Sequence, residues 1–168
     1  MELFETIRAR RSVRAFTGQP IPCEHLEAIV DAGRLAASGN NRQPWEFIII
    51  TEPEIMTQLR VPEDHWSKGA AAYIAVVMDT ESRWWVEDGA AAVQNMLLAC
   101  TALGYGACWI EGYTLRNEGT FKEVLGIPEK LRLFTMVVVG VPAAQPEKEK
   151  KSLQEVLHWQ RYGDGSQG

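Results

Sequence analysis

The chain has 168 residues, of which 46% are hydrophobic and 23% charged, and its formal net charge is −5. This length suits one domain with its own core rather than two, and the ordinary composition excludes a low-complexity or fibrous protein. The acidic balance argues against general attraction to nucleic acid, and no apolar stretch is long enough to span a bilayer.

The first half of the chain predicts three helices and one strand. Apolar residues at helical spacing indicate helices over Glu2 to Arg10 and over Pro22 to Ala37. The polar turn that follows leads into a predicted strand from Trp45 to Thr51, whose continuous apolar run indicates burial on both faces. A short helix is expected from Glu52 to Leu59.

The second half alternates buried strands with helices. The predicted elements are a strand from Ala71 to Met78, a helix from Glu87 to Leu103, a strand from Ala107 to Ile110, a helix from Leu115 to Leu125, a strand from Leu133 to Val139 and a short amphipathic piece from Leu153 to Trp159. The long helix carries no charge between Ala90 and Leu103, and a helix that is apolar nearly all round must be covered on all sides. A partner subunit is therefore expected.

These elements predict a layered α/β or α+β domain around one sheet. We expect a single domain over residues 1–168, with a frayed tail from about residue 160. Three cysteines without CxxC spacing and three isolated histidines (His25, His65, His158) argue against a disulfide framework and a metal site. Because the acidic N-terminus lacks the apolar region of a signal peptide, a cytoplasmic location is expected.

Two basic clusters stand out in this acidic chain. One lies near the start (Arg8, Arg10, Arg11, Arg14) and the other near the end (Lys148, Lys150, Lys151). Arginine forks and the Ser12 hydroxyl are good donors to phosphate, so one interpretation is that the two clusters together form one anion site. Each cluster taken alone is more typical of a solvated surface.

Two further segments carry polar groups at the ends of elements. Ser38-Gly39-Asn40-Asn41-Arg42-Gln43-Pro44-Trp45 is a polar turn whose amides and hydroxyls suit the heteroatom edge of a flat ring, or simply satisfy the local backbone. Trp109-Ile110-Glu111-Gly112-Tyr113 ends a strand at a glycine, which permits close approach of a ligand to the backbone or merely marks a turn.

In this order and context, RRSVR, SGNNRQPW and WIEGY resemble the motifs of the nitroreductase family, and the resemblance covers nearly the whole chain. It implies an α+β fold with a central, mostly antiparallel sheet flanked by helices, in a homodimer that binds FMN at its interface. It also implies an FMN-dependent oxidoreductase that takes hydride from NADH or NADPH. A small-molecule electron acceptor such as a nitroaromatic or a quinone would then be reduced in a ping-pong sequence.

The resemblance also implies a role for particular residues. Arg10 and Ser12, with Lys150 or Lys151, match positions that bind the FMN phosphate, and Arg14 matches the basic residue near the pyrimidine edge. Arg11, between Arg10 and Ser12, is also counted among the cofactor-binding residues. Ser38, Asn40 and Gln43 would lie along the ring from the partner subunit. Ile110, Glu111 and Gly112 match the segment whose backbone N–H orients flavin N5, so no catalytic side chain is expected.

Other functions remain open at this point. The alternatives are a module that binds, senses or stores FMN without efficient turnover, an enzyme of reductive dehalogenation or flavin breakdown on the same scaffold, and a structural role with an empty pocket. Gly104-Tyr105-Gly106 precedes a strand rather than following one, so it is not a dinucleotide fingerprint, and nicotinamide is expected to bind transiently. Trp84 and Trp85 either shape the substrate entrance or pack at an interface.

Overall fold

The computed structural model describes residues 2–60 and 67–165. Two single 3₁₀ turns cover Gly39–Asn41 and Leu153–Glu155. The helices of the described ranges are α1 (Leu3–Ala9), α2 (Cys23–Arg34), α3 (Pro53–Gln58), α4 (Trp85–Ala102), α5 (Glu111–Arg116) and α6 (Glu118–Leu125). The strands are β1 (Trp45–Ile50), β2 (Ala72–Asp79), β3 (Gly106–Ile110) and β4 (Leu131–Gly140).

The four strands form one sheet in the order β1-β2-β4-β3, and every neighbouring pair is antiparallel. This confirms the α+β fold with an antiparallel sheet. Strands β2 and β4 lie in the middle and are buried over almost their whole length. Strands β1 and β3 are the two edges, so they lie three strand spacings apart, or about 14 Å.

Side chains of β2 alternate between two apolar layers, as the pleat of a strand requires. Ile74, Val76 and Met78 pack with residues of α2 and α4 on one face of the sheet. Tyr73 and Ala75 belong to a second cluster on the other face, which includes side chains of α5 and α6. The sheet is thus covered by helices on both faces.

The open side of β3 is covered by the segment that follows α1. Ser12 pairs with Ala107 as an isolated parallel bridge, and the Val13 N–H donates to the Ala107 carbonyl over 2.9 Å. Further along, the Thr17 N–H donates to the Val141 carbonyl, also over 2.9 Å. This segment therefore lies beside β3 and beside the chain that leaves β4.

Two sequence predictions are corrected by the structure. Strand β1 is not buried on both faces: Glu46 is exposed and Phe47 to Ile49 are only half-buried, because an edge strand has a neighbour on one side only. The single helix expected over Leu115 to Leu125 is two helices, and α5 begins at Glu111 directly after β3. Asn117 separates them, and its side-chain amide donates to the Tyr113 carbonyl.

Smaller differences concern the ends of elements. Helix α2 ends at Arg34 rather than Ala37, and the terminal amphipathic piece is helical only over Leu153–Glu155. Helix α4 packs against α1, α2 and the sheet, so much of the cover that its apolar sequence requires comes from its own chain.

The tail that the sequence predicts to fray begins at about residue 160, and its part from residue 166 onward lies outside the described residues. No helix in the described ranges combines the length and apolarity that crossing a membrane requires.

Candidate functional site

A small basic cavity joins the two ends of the chain. Its volume is about 130 Å³, and its lining consists of Arg10, Arg11, Ser12, Arg14, Pro146, Lys148 and Lys150. The two clusters meet because the chain leaving β4 runs beside the segment after α1, where the Ala143 N–H donates to the Ala15 carbonyl over 3.0 Å. The sequence expectation that both clusters build one site is consistent with this arrangement.

The cationic side chains of this cavity differ in their hydrogen-bond and ion-pair partners. The Arg11 guanidinium donates to the Arg8 and Arg10 carbonyls, at 2.6 and 2.8 Å, and so caps the C-terminal end of α1. Among the described residues, no carboxylate forms an ion pair with Arg10, Lys148 or Lys150. Since unpaired like charges repel, such a cluster is stabilised by binding an anion.

A second cavity of about 310 Å³ lies at the junction of β3 and α5. It is lined by Arg14, Cys108, Trp109, Ile110, Glu111, Gly112, Tyr113 and Arg116. Arg14 lines both cavities, so the two cavities are neighbours beside β3. Gly112 is exposed, and a Cβ built on it would have no atom within 4 Å. A flat ligand therefore has free access to the backbone here.

The first residues of α5, Glu111 and Gly112, line this cavity. A helix leaves its first N–H groups without intrahelical acceptors, and in α5 these belong to the segment starting at Glu111 and Gly112. The helix follows β3 directly, without a connecting loop. The arrangement is suited to a ligand that carries a hydrogen-bond acceptor at its centre.

The loop from Ser38 to Gln43 has an unusual backbone. Asn40, Asn41 and Gln43 all have positive φ, at 52°, 56° and 51°. Asparagine tolerates this conformation better than glutamine does, and such strain persists only where the surroundings enforce it. The Gln43 N–H donates to the Ser38 Oγ over 3.0 Å and closes the loop.

Members of the nitroreductase family resemble this chain over most of its length. The family model for "Nitroreductase family" matches residues 7–64 and 60–141. The chain belongs to the nitroreductase family.

Individual relatives support the same assignment. A protein of Archaeoglobus fulgidus, provisionally named NADH dehydrogenase/NAD(P)H nitroreductase, is 34% identical over 149 residues, covering 84% of this chain and 86% of the relative. The FMN reductase (NADPH) of Bacillus subtilis is 27% identical, with 94% of this chain and 73% of the relative covered. A provisionally named nitroreductase of Desulfovibrio desulfuricans, solved in complex with FMN, has a TM-score of 0.83 and 31% identity, with 94% and 95% covered.

Within one nitroreductase chain, the structure brings together only part of the predicted site. Most of the residues assigned to the phosphate, the pyrimidine edge and N5 line the two neighbouring cavities: Arg10, Arg11, Ser12, Arg14, Ile110, Glu111, Gly112 and Lys150. Ser38, Asn40 and Gln43 instead adjoin β1, at the opposite edge of the sheet. Gln43 lines a separate cavity of about 350 Å³.

The structure distinguishes the C-terminal lysines by whether they line the basic cavity. Lys148 lines the basic cavity with Lys150, whereas Lys151 is exposed and is not among the lining residues. The sequence places Lys148 in the second basic cluster, whereas the family resemblance implies only Lys150 or Lys151 for the phosphate. In extended backbone, side chains two residues apart point to the same side. Counted from Lys150, this period favours Lys148 over Lys151.

Trp84 and Trp85 pack within their own chain. A Cβ on Gly39 would overlap the Trp84 ring, which therefore lies directly against the loop backbone. Trp85 meets Phe134 edge to face, with ring centroids 6.0 Å apart. Trp84 remains 37% exposed, so its outer side is available to a ligand or to a partner.

Other reactive side chains have structural surroundings. Burial raises the pKa of the Cys100 thiol to about 12, so this cysteine is a small hydrophobe rather than a nucleophile. Among the described residues, no cluster of three or more histidine, cysteine or acidic side chains is placed to hold a metal ion. His65 lies outside the described residues.

Proposed function

We propose that this chain is an FMN-dependent NAD(P)H oxidoreductase that reduces nitroaromatic, quinone or similar small acceptors in a ping-pong sequence. The observation that carries the proposal is the pair of neighbouring cavities along β3, which share Arg14 and have Arg10 in the lining of one and Gly112 in the lining of the other. The FMN in the D. desulfuricans relative and the FMN reductase name of the B. subtilis relative support it.

The basic cavity fits the phosphate of FMN. A phosphate monoester carries nearly two negative charges at neutral pH, and its oxygens accept charge-assisted hydrogen bonds from guanidinium and ammonium groups. Arg10, Lys148 and Lys150 line the cavity without carboxylate partners among the described residues. We assign these three residues and the Ser12 hydroxyl to the phosphate.

The second cavity fits the flavin ring. When bound there, FMN would accept hydride from the nicotinamide and pass reducing equivalents to the acceptor. The protein contributes position: Gly112 leaves the space beside its backbone open, and the first N–H groups of α5 hold the ring in orientation. The fixed positive charge of Arg14 stabilises negative charge on the pyrimidine edge.

A homodimer would complete the site. In one chain, the loop carrying Ser38 and Gln43 adjoins β1, about three strand spacings from β3. A second copy could place its loop against the β3 site of the first. The exposed apolar residues of α1, Leu3 (62%), Phe4 (67%) and Ile7 (47%), provide a surface of the kind that subunit interfaces bury.

The visible absorption spectrum of the purified protein tests this proposal. We expect a flavin spectrum, or one that forms on adding FMN, and we expect anaerobic NADH or NADPH to bleach it. Reoxidation by a nitroaromatic or a quinone would then complete the cycle. A bound flavin that stays oxidised would favour a binding or sensing module, and a protein that does not take up FMN would overturn the proposal.

A further inference from the structure

The carboxylate of Asp88 is buried beside the strained loop. Asp88 lies in the first turn of α4 and is only 4% exposed. Its Oδ1 accepts the Gly39 N–H over 2.9 Å, whereas Oδ2 is buried without a hydrogen-bond partner among the described residues. Burying a carboxylate is costly, so a position that keeps one with half of its acceptors unused requires an explanation beyond packing.

The loop that Asp88 contacts needs an external anchor. Three residues with positive φ follow Gly39 within four positions: Asn40, Asn41 and Gln43. Four hydrogen bonds lie within the loop. The Asn41 and Arg42 N–H groups donate to the Ser38 and Gly39 carbonyls, the Gln43 N–H donates to the Ser38 Oγ, and the Gln43 side-chain amide donates to the Asn41 carbonyl. These contacts close the loop on itself but do not connect it to the rest of the fold.

The first turn of α4 supplies that connection. Asp88 accepts the N–H of Gly39, and the Trp84 ring, one turn earlier, lies where a Cβ of Gly39 would be. The two side chains thus hold one peptide unit of the loop by a hydrogen bond and by direct packing. Gly39 is the residue that makes both contacts possible.

We propose that Asp88 is a positioning residue for the cofactor: through the Gly39 N–H, it holds the loop in the strained conformation that presents Ser38, Asn40 and Gln43 to FMN. This inference depends on the proposed function, since it concerns the same FMN site. Asp88 itself does not touch the cofactor. Its effect is preorganisation, because a loop already held in its binding conformation loses less entropy when the ligand binds.

Three variants separate positioning from simple stability. Asp88→Asn keeps an oxygen acceptor for the Gly39 N–H, whereas Asp88→Ala removes it. Asn95→Ala is the matched control: its side-chain amide ties α4 to α2 through the Ala32 carbonyl over 3.0 Å, away from the loop. FMN dissociation constants are measured by flavin fluorescence, well below the unfolding temperature of each variant.

We expect Asp88→Ala to weaken FMN binding roughly tenfold, the factor associated with losing one ordinary hydrogen bond. Asp88→Asn should restore affinity to within about threefold of the unsubstituted protein. Asn95→Ala should lower the unfolding temperature without changing FMN affinity. Hydrogen exchange should show a loss of protection of the Gly39 amide in Asp88→Ala alone.

The proposal is overturned if Asp88→Ala binds FMN like the unsubstituted protein, or if Asp88→Asn is as weak as Asp88→Ala. It is also overturned if Asn95→Ala loses affinity in proportion to its lost stability, since Asp88 would then act through stability alone. These results differ from failure of the proposed function, in which the unsubstituted protein itself does not bind FMN.

Discussion

Arg10 and Lys150 line the same cavity, although they lie near opposite ends of the chain. The first follows α1 and the second lies in the segment that leaves β4, and the backbone pairing of Ala15 with Ala143 holds the two segments together. Formation of the basic cavity therefore depends on the fold as a whole. Its charge has little structural benefit unless an anion binds there.

Replacing Arg10 by alanine should weaken FMN binding by about 1.5–3 kcal/mol, because a charge-assisted contact with phosphate is lost. This corresponds to roughly a 10- to 150-fold increase in the dissociation constant. Titration of the apoprotein with FMN, followed by flavin fluorescence, measures this dissociation constant. Arg34→Ala is the control, since Arg34 forms an exposed ion pair with Asp31 away from the cavity. Equal affinities in both variants would remove Arg10 from the site.

The C-terminal lysines should not be equivalent. Lys148→Ala and Lys150→Ala should each weaken FMN binding severalfold, and more strongly at low salt, because both line the cavity. Lys151→Ala should change the affinity little, since Lys151 lies outside the lining residues. The same FMN titration, carried out at two ionic strengths, compares the dissociation constants of the three variants. A larger loss for Lys151 than for Lys148 would contradict the assignment from the structure.

The sequence predicts local structure and local motifs well in this protein, but not how the motifs combine. The four strands, the long helix and the family follow from apolar periodicity and from RRSVR, SGNNRQPW and WIEGY. The edge position of β1 could not be predicted, because strand order depends on long-range pairing. Which lysines line the cavity with Arg10 likewise depends on how the two ends of the chain meet.

Gly112→Val should block the ring site without damaging the fold. A Cβ on Gly112 meets no atom within 4 Å, and the glycine does not have positive φ, so valine fits the chain itself. We expect FMN affinity to fall at least about tenfold because valine occupies the space proposed for the ring. Gly119→Val is the matched control: it is also helical, with nothing within 4 Å. Thermal unfolding without FMN should be similar for both variants.

The contact between Glu118 and Arg132 should make stability depend on pH. The Arg132 guanidinium donates two hydrogen bonds of 2.7 Å to the Glu118 carboxylate, and the Leu133 N–H donates a third. The hydrogen bonding from Arg132 is the main cause that lowers the pKa of Glu118. The folded protein therefore binds this proton more weakly than the unfolded chain. The stabilisation is present above about pH 4.5 and is lost as the pH falls below it.

Glu118→Gln should accordingly reduce the free energy of unfolding by about 1 kcal/mol at neutral pH, and by less in acid. Urea unfolding at pH 7 and pH 4 measures the difference. Glu123→Gln, on the exposed side of the same helix, should have little effect at either pH. A Glu118→Gln effect that stays the same at both pH values would show that the charge of the carboxylate is not responsible.

Dimerisation should depend on the apolar surface of α1. Phe4 is 67% exposed in the single chain, and a twofold interface would bury two copies of it. Phe4→Asp should therefore destabilise the dimer by about 3–6 kcal/mol, or roughly two to four orders of magnitude in its dissociation constant. Sedimentation velocity over a range of protein concentrations measures this shift.

Loss of the dimer should also weaken FMN binding, because Ser38 and Gln43 would no longer reach the β3 site of the partner. For the unsubstituted protein, FMN affinity should fall as the protein is diluted into the range where dimers dissociate. A monomer that binds FMN as tightly as the dimer would contradict the shared site. In that case the Ser38–Gln43 loop would have another role, and the two cavities along β3 would be sufficient for binding.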